Sequence, residues 1–153
     1  MMEQKKDIFD RIFSIKPFSF FQPIYLKYKE QLLYLFFGVL TTVVSIAVFS
    51  LFTIVIPCDE LFANLISWIV AVLFAFLTNR TWVFQSDSKQ SFFKQMQSFY
   101  LGRVATLGVE ELILLVFVKV LSLNAMLVKI VAQVVVILLN YIISKLFVFK
   151  KGE

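Results

Sequence analysis

The stretch "LFANLISWIVAVLFAFLTNRTWVF", residues 61–84, decides how the chain is read. Its first nineteen positions carry no charge, and it closes on Asn79, Arg80 and an aromatic–Val–Phe tail. As a helix rising ~1.5 Å per residue, such a run nearly matches a hydrocarbon layer of ~30 Å. Working outward, residues 32–56 are equally free of charge, and "PCDE" (57–60) leaves room only for a tight turn between the two runs. A third apolar stretch covers 99–121 but contains Arg103, Glu110, Glu111 and Lys119. A fourth covers 125–149, with Lys129 near its start and Lys145 near its end. The expected fold is an all-α integral membrane protein with four transmembrane helices.

Composition agrees. Of 153 residues, 60% are hydrophobic and 16% charged, nineteen are Phe, and mean hydropathy is +0.87. A soluble domain of this size could not hide so much apolar surface, so the expected solvent is the lipid bilayer. The net charge of +5 is therefore read by position, as a topology signal and not as a nucleic-acid footprint. No His is present and Cys58 stands alone, which removes His-based metal sites, His acid–base pairs and intrachain disulfides. No cofactor is called for.

Lys5, Lys6, Arg11, Lys16, Lys27 and Lys29 precede the first run. Arg80, Lys89, Lys94 and Arg103 surround the central loop, and Lys145, Lys150 and Lys151 close the chain. The other face has Asp59 and Glu60 at one turn and Lys119 and Lys129 around the second. The positive-inside rule puts both termini and the central loop in the cytoplasm, as four spans require. Residues 1–31 form an N-terminal segment ahead of a transmembrane domain at 32–151. Within that segment Ile8, Phe9, Ile12, Phe13 and Ile15 recur at roughly helical spacing opposite charged residues. This suits an amphipathic helix on the cytoplasmic leaflet, or else a tail with partial order. Pro17 and Pro23 are expected to break the chain before the first span.

The ending "NRTWVF" (79–84) returns as "SKLFVF" (144–149), with Arg80 and Lys145 separated by 65 positions. At that offset Leu65 meets Ile130, Val70 meets Val135, Phe76 meets Tyr141, Val83 meets Val148 and Phe84 meets Phe149. One reading is a duplicated helix pair whose halves run parallel. The other is a shared anchoring style, with cations and aromatics, including Trp82, Phe84, Phe147 and Phe149, at a membrane interface.

Polar residues of the spans lie in stripes: Gly38, Thr41, Thr42 and Ser45; then Asn64, Ser67, Ala71, Ala75 and Thr78; then Lys129, Gln133, Asn140 and Ser144. Close helix packing accounts for the first two. The third is more polar than packing needs and suits a cavity lining. Glu110 lies about 16 Å along its helix from Phe99, near the bilayer midplane. A carboxylate there costs at least ~2.5–3.5 kcal/mol, so a cation from another helix or a proton must satisfy it. Arg103 is about 10 Å away along the same axis and snorkels more readily to the interface.

"LFFGVLTTVVSIAVFSLF" (35–52), the run 63–84 and "VVILLNYIISKLFVFKK" (135–151) together resemble the GtrA-like family of small four-span bacterial membrane proteins, over about residues 32–151. Departures are Leu33 before Tyr34, Thr41 and Ser45 where the family often has Asn and Asp, and Lys145 in place of a closing Arg. The resemblance implies movement of a polyprenyl-phosphate-linked sugar, such as undecaprenyl-phosphate glucose, to the outer leaflet. There a membrane glycosyltransferase would use it on a cell-surface polysaccharide or teichoic acid. On that reading Arg80, Lys145 and Arg103 attract the phosphate, Asn64, Asn79, Asn140 and Gln133 bond the sugar hydroxyls, and Glu110 is a gate or waypoint.

Two rivals stand beside it: a scaffold subunit of a glycosyltransferase system, and an exporter resembling the small multidrug resistance proteins. No nucleophile beside a base, metal-ligand cluster or phosphate loop points to an enzyme. Four short helices enclose little volume, which suits a homodimer.

Overall fold

In a computed structural model, residues 8–14, 19–56, 58–85 and 91–149 are described, and they are helical almost throughout, with no strand among them. After α1 (Ile8–Phe13), a short 3-10 turn leads into α2 (Gln22–Ser50), extended by a π-turn, Leu51–Val55. α3 (Glu60–Thr78) ends in the π-turn Asn79–Val83, α4 (Phe92–Leu114) in Leu115–Val120, and α5 (Ala125–Ile143) in Ser144–Val148. Among the described residues three stretches, Gln22–Val55, Phe62–Val83 and Leu127–Val148, are long and apolar enough to cross a membrane. α4 has comparable length, but Arg103, Glu110 and Glu111 make it more polar.

Pro23 does not break the chain. It sits in the first turn of α2, where a missing N–H costs nothing because that N–H has no helical acceptor. The interruption falls at Tyr28, whose φ of −117° and ψ of 21° leave the helical region. Pro17, Ile15, Lys5 and Lys6 lie outside the described residues, as do Lys16, Lys89, Lys150 and Lys151. α1 packs inward: the Phe9 ring meets Phe36 and Phe37 edge-on at 5.9 and 5.7 Å, and Asp10 takes a 2.8 Å ion pair from Lys29.

The chain divides into two compact units, residues 1–85 and 86–153. Each is an antiparallel helical hairpin, and the local bonding of one is repeated in the other 65 positions later. The Ile56 N–H donates to the Leu51 carbonyl and the Leu121 N–H to the Val116 carbonyl. Cys58 to Phe52 is matched by Leu123 to Phe117, and Ala63 to Asp59 by Val128 to Asn124. Each second helix starts under a side-chain cap: the Asp59 carboxylate accepts from the Phe62 N–H at 3.3 Å, and the Asn124 amide oxygen from Leu127 at 3.2 Å. Such caps satisfy donors that a helix start leaves open. At the far end, Phe84 donates to the Asn79 carbonyl and Phe149 to that of Ser144, both at 2.8 Å.

The aromatic contacts repeat too. Tyr34 and Phe84 meet with centroids 6.4 Å apart and planes tilted 56°; Phe99 and Phe149 meet at 5.9 Å and 54°. Trp82 stacks on Phe37 at 5.4 Å. Trp82, Phe84 and Phe149 are thus packing residues of the hairpins. Of the four aromatics read as anchors, Phe147, 69% exposed, alone keeps an outward position fit for that role.

The stripe on α3 buries Ser67, Ala71, Ala75 and Thr78, with Ala63 in the place expected of the exposed Asn64. On α2 the expected small-residue face is displaced. Tyr25, Leu33, Tyr34 and Phe37 are buried, while a side chain at Gly38 would meet open space. The buried Tyr34 and Phe37 are the residues that meet Phe84 and Trp82 in the aromatic tail of α3. In the second unit Gly102 is the close-approach residue: a Cβ there would stand 2.9 Å from Cγ2 of Ile143. Ile is stiff at this branch, so glycine is what lets α4 and α5 approach.

Candidate functional site

The second unit carries a polar seam between α4 and α5. Its rungs run in antiparallel order from Phe99 against Phe149, through Gly102 against Ile143. Next, Thr106 Oγ1 donates to Asn140 Oδ1 at 2.9 Å, with both residues buried. One turn further, Oε1 of Glu110 accepts from Lys129 Nζ at 2.5 Å and from Gln133 Nε2 at 2.7 Å. Glu110 is 7% exposed. The helical repeat makes this possible, because Thr106 and Glu110 share one face of α4, as Lys129 and Gln133 share one face of α5.

Of the residues singled out by sequence, Glu110, Gln133 and Asn140 come together in this seam. Arg103 lies two turns from Glu110, with its guanidinium 5.0 Å from the Phe99 ring centroid. It makes no ion pair with Glu110; the satisfying cation comes from another helix, and it is Lys129. Lys145 is exposed and donates to the Tyr141 hydroxyl at 3.2 Å. Asn64, Asn79 and Arg80 belong to the first unit. Asn64 is exposed and contributes its carbonyl to the Ser67 hydroxyl. Arg80 is half-buried in the π-turn. Asn79 is 3% exposed, and its Oδ1 has no hydrogen-bond partner among the described residues.

Lys129 stands in the polar stripe that the sequence shows, but sequence reasoning did not single it out as the partner of Glu110, because it also lies close to a turn. The 65-position offset could have found it, since it sets Lys129 against Asn64, within a polar stripe. The same offset shows how the units differ. Glu110, Gln133 and Asn140 answer to Ser45, Trp68 and Ala75. Two hairpins on one frame therefore differ at their middle rungs, and the charge lies in the second.

Set beside known proteins, residues 33–149 match the transmembrane domain described as GtrA/DPMS. The chain is 36% identical over 123 residues to the uncharacterized membrane protein YwcD of Bacillus subtilis, spanning 79% of this chain and 97% of that one. It is 37% identical over 121 residues to the cell wall teichoic acid glycosylation protein GtcA of Listeria monocytogenes, covering 78% and 83%. The protein of the same name from Listeria innocua is 36% identical over a stretch of equal length. An all-helical pair of hairpins, a charged seam in an apolar setting and a match over residues 33–149 lead to one assignment: the protein belongs to the GtrA/DPMS transmembrane-domain family.

Proposed function

We propose that the protein crosses the bacterial cytoplasmic membrane four times, with both termini in the cytoplasm. In this reading it moves a polyprenyl-phosphate-linked sugar to the outer leaflet, where a membrane glycosyltransferase attaches the sugar to teichoic acid or another cell-surface polysaccharide. The protein makes and breaks no covalent bond; it shelters a polar headgroup while the lipid tail stays in the bilayer. The observation that carries the reading is the Glu110–Lys129–Gln133 cluster. Ionisable groups in a span are costly, and they mark paths for polar cargo. The teichoic acid glycosylation proteins among the relatives supply the class of process. Arg80, Arg103 and Lys145 supply cations for the phosphate, and Asn64, Asn79 and Asn140 supply amides for hydroxyls.

The test is movement itself. Purified protein in liposomes is expected to speed the outward transfer of labelled undecaprenyl-phosphate glucose; no gain over empty vesicles, from folded protein with its glycosyltransferase partner also tried, retires the reading. Asn79 gives a second measurement. A buried acceptor without a donor costs about 1–3 kcal/mol. Asn79→Leu is therefore expected to unfold no more easily than wild type, or less easily by about 1 kcal/mol, while transfer falls. A variant that loses stability and keeps transfer assigns Asn79 to packing.

A further inference from the structure

The cluster on α4 and α5 is satisfied on one side only. An ammonium has three N–H donors, and Lys129 uses one, on Glu110. Its side chain is 49% exposed, so the remaining donors are not closed in by protein. Both donors to Glu110 converge on Oε1, which leaves Oε2 without a donor among the described residues. Gln133 is exposed and gives one amide hydrogen to the cluster, with its own carbonyl oxygen free to accept. A polar group left bare in hydrocarbon is costly. A cluster kept to hold two helices together has every reason to be closed.

Holding the helices is also not what the frame requires. The first unit builds the same hairpin, with the same caps, π-turns and aromatic closure, and has Ser45 and Asn64 where the second has Glu110 and Lys129. No ion pair exists at that rung of the first unit among the described residues. The charges of the second unit are therefore additions to a hairpin that forms without them.

The unused groups define what would complete them. Free ammonium donors call for an anionic oxygen, and a free carboxylate oxygen beside a free amide oxygen calls for hydroxyl donors. A phosphate joined to a polyhydroxylated ring offers both within one small group. We propose that Glu110, Lys129 and Gln133 form the seat of the sugar-phosphate headgroup. Lys129 holds a phosphate oxygen, and Glu110 Oε2 and the Gln133 carbonyl accept from sugar hydroxyls. This rests on the translocase reading and adds to it a residue, Lys129, and a place, the charged rung of the second hairpin.

The experiment is lipid binding in nanodiscs of phosphatidylcholine, with undecaprenyl phosphate glucose and undecaprenyl phosphate as probes. Lys129→Gln is expected to weaken both lipids by about ten- to a hundredfold, as loss of a charge-assisted bond does. Glu110→Gln removes a sugar acceptor and frees Lys129, so it weakens only the glucosylated lipid, and the preference for it collapses. Should the single variants misfold, the double variant Glu110→Gln/Lys129→Met leaves no lone charge. Folded, it is expected to bind neither lipid tightly. A folded double variant that binds the glucolipid like wild type overturns the proposal. So does phosphatidylglycerol displacing the glucolipid at equal concentration, which would make the cluster a general contact for anionic lipid. Binding through the cluster without transfer in liposomes retires the translocase reading alone; transfer retained by the folded double variant retires the seat alone.

Discussion

Lys129→Met is expected to cost the protein about 3–5 kcal/mol of stability, because it leaves the Glu110 carboxylate buried without its cation. Adding Glu110→Gln to the same chain is expected to return most of that loss. The asymmetry is physical. Attraction between paired charges is offset by the cost of removing both from water, so the pair is worth little net, whereas half of it is a liability. The side-chain amide that Glu110→Gln introduces still accepts from Gln133 through its oxygen, which preserves the geometry of the rung. Unfolding by SDS in mixed micelles measures both variants on one scale. Equal losses for the single and double variants would show that the pair itself stabilises the hairpin, contrary to the comparison between units.

The second large effect concerns the hairpin ends. Phe84→Ala and Phe149→Ala are each expected to cost about 3–5 kcal/mol by opening a cavity beneath a buried ring. Phe84 is 4% exposed and Phe149 2%, and each faces a ring from the first helix of its hairpin at nearly the same tilt. Phe147 is the control: two residues away and largely exposed, it should change stability by no more than about 0.5 kcal/mol on truncation. If these aromatics served chiefly to anchor the chain at the membrane surface, Phe147→Ala would match or exceed the other two.

Much of this architecture can be read from sequence. Uncharged runs at 32–56 and 61–79 name the first two long helices, and "PCDE" fixes their turn. The offset of 65 aligns the two endings, which suit a shared anchoring style as well as a repeat. The matched backbone bonds of the two units are what the sequence leaves out. What stays hidden depends on rotation and register, which single runs do not encode. Small residues on α2 suggest one packing face, yet Trp82 and Phe84 select Tyr34 and Phe37. Glu110 announces a need for a cation by its depth, but its partner depends on how α4 and α5 align. That alignment is set by the Asn124 cap and the contact at Gly102. Lys129 and Gln133, four apart, then converge on one oxygen. The candidate site is legible as a set of costly residues, not as an assembly.

The four π-turns also bear on descent. Each accommodates one residue more than an α-helical turn would, and the terminal hydrogen bonds at Ile56 and Leu121, and again at Phe84 and Phe149, fall at places that correspond residue for residue. Separate origins would require the same widening to arise four times at matched positions. One ancestral hairpin that already held both turns, copied once, accounts for all four. On that account Glu110 and Lys129 mark where the two copies have parted, since the other copy has Ser45 and Asn64 at those places.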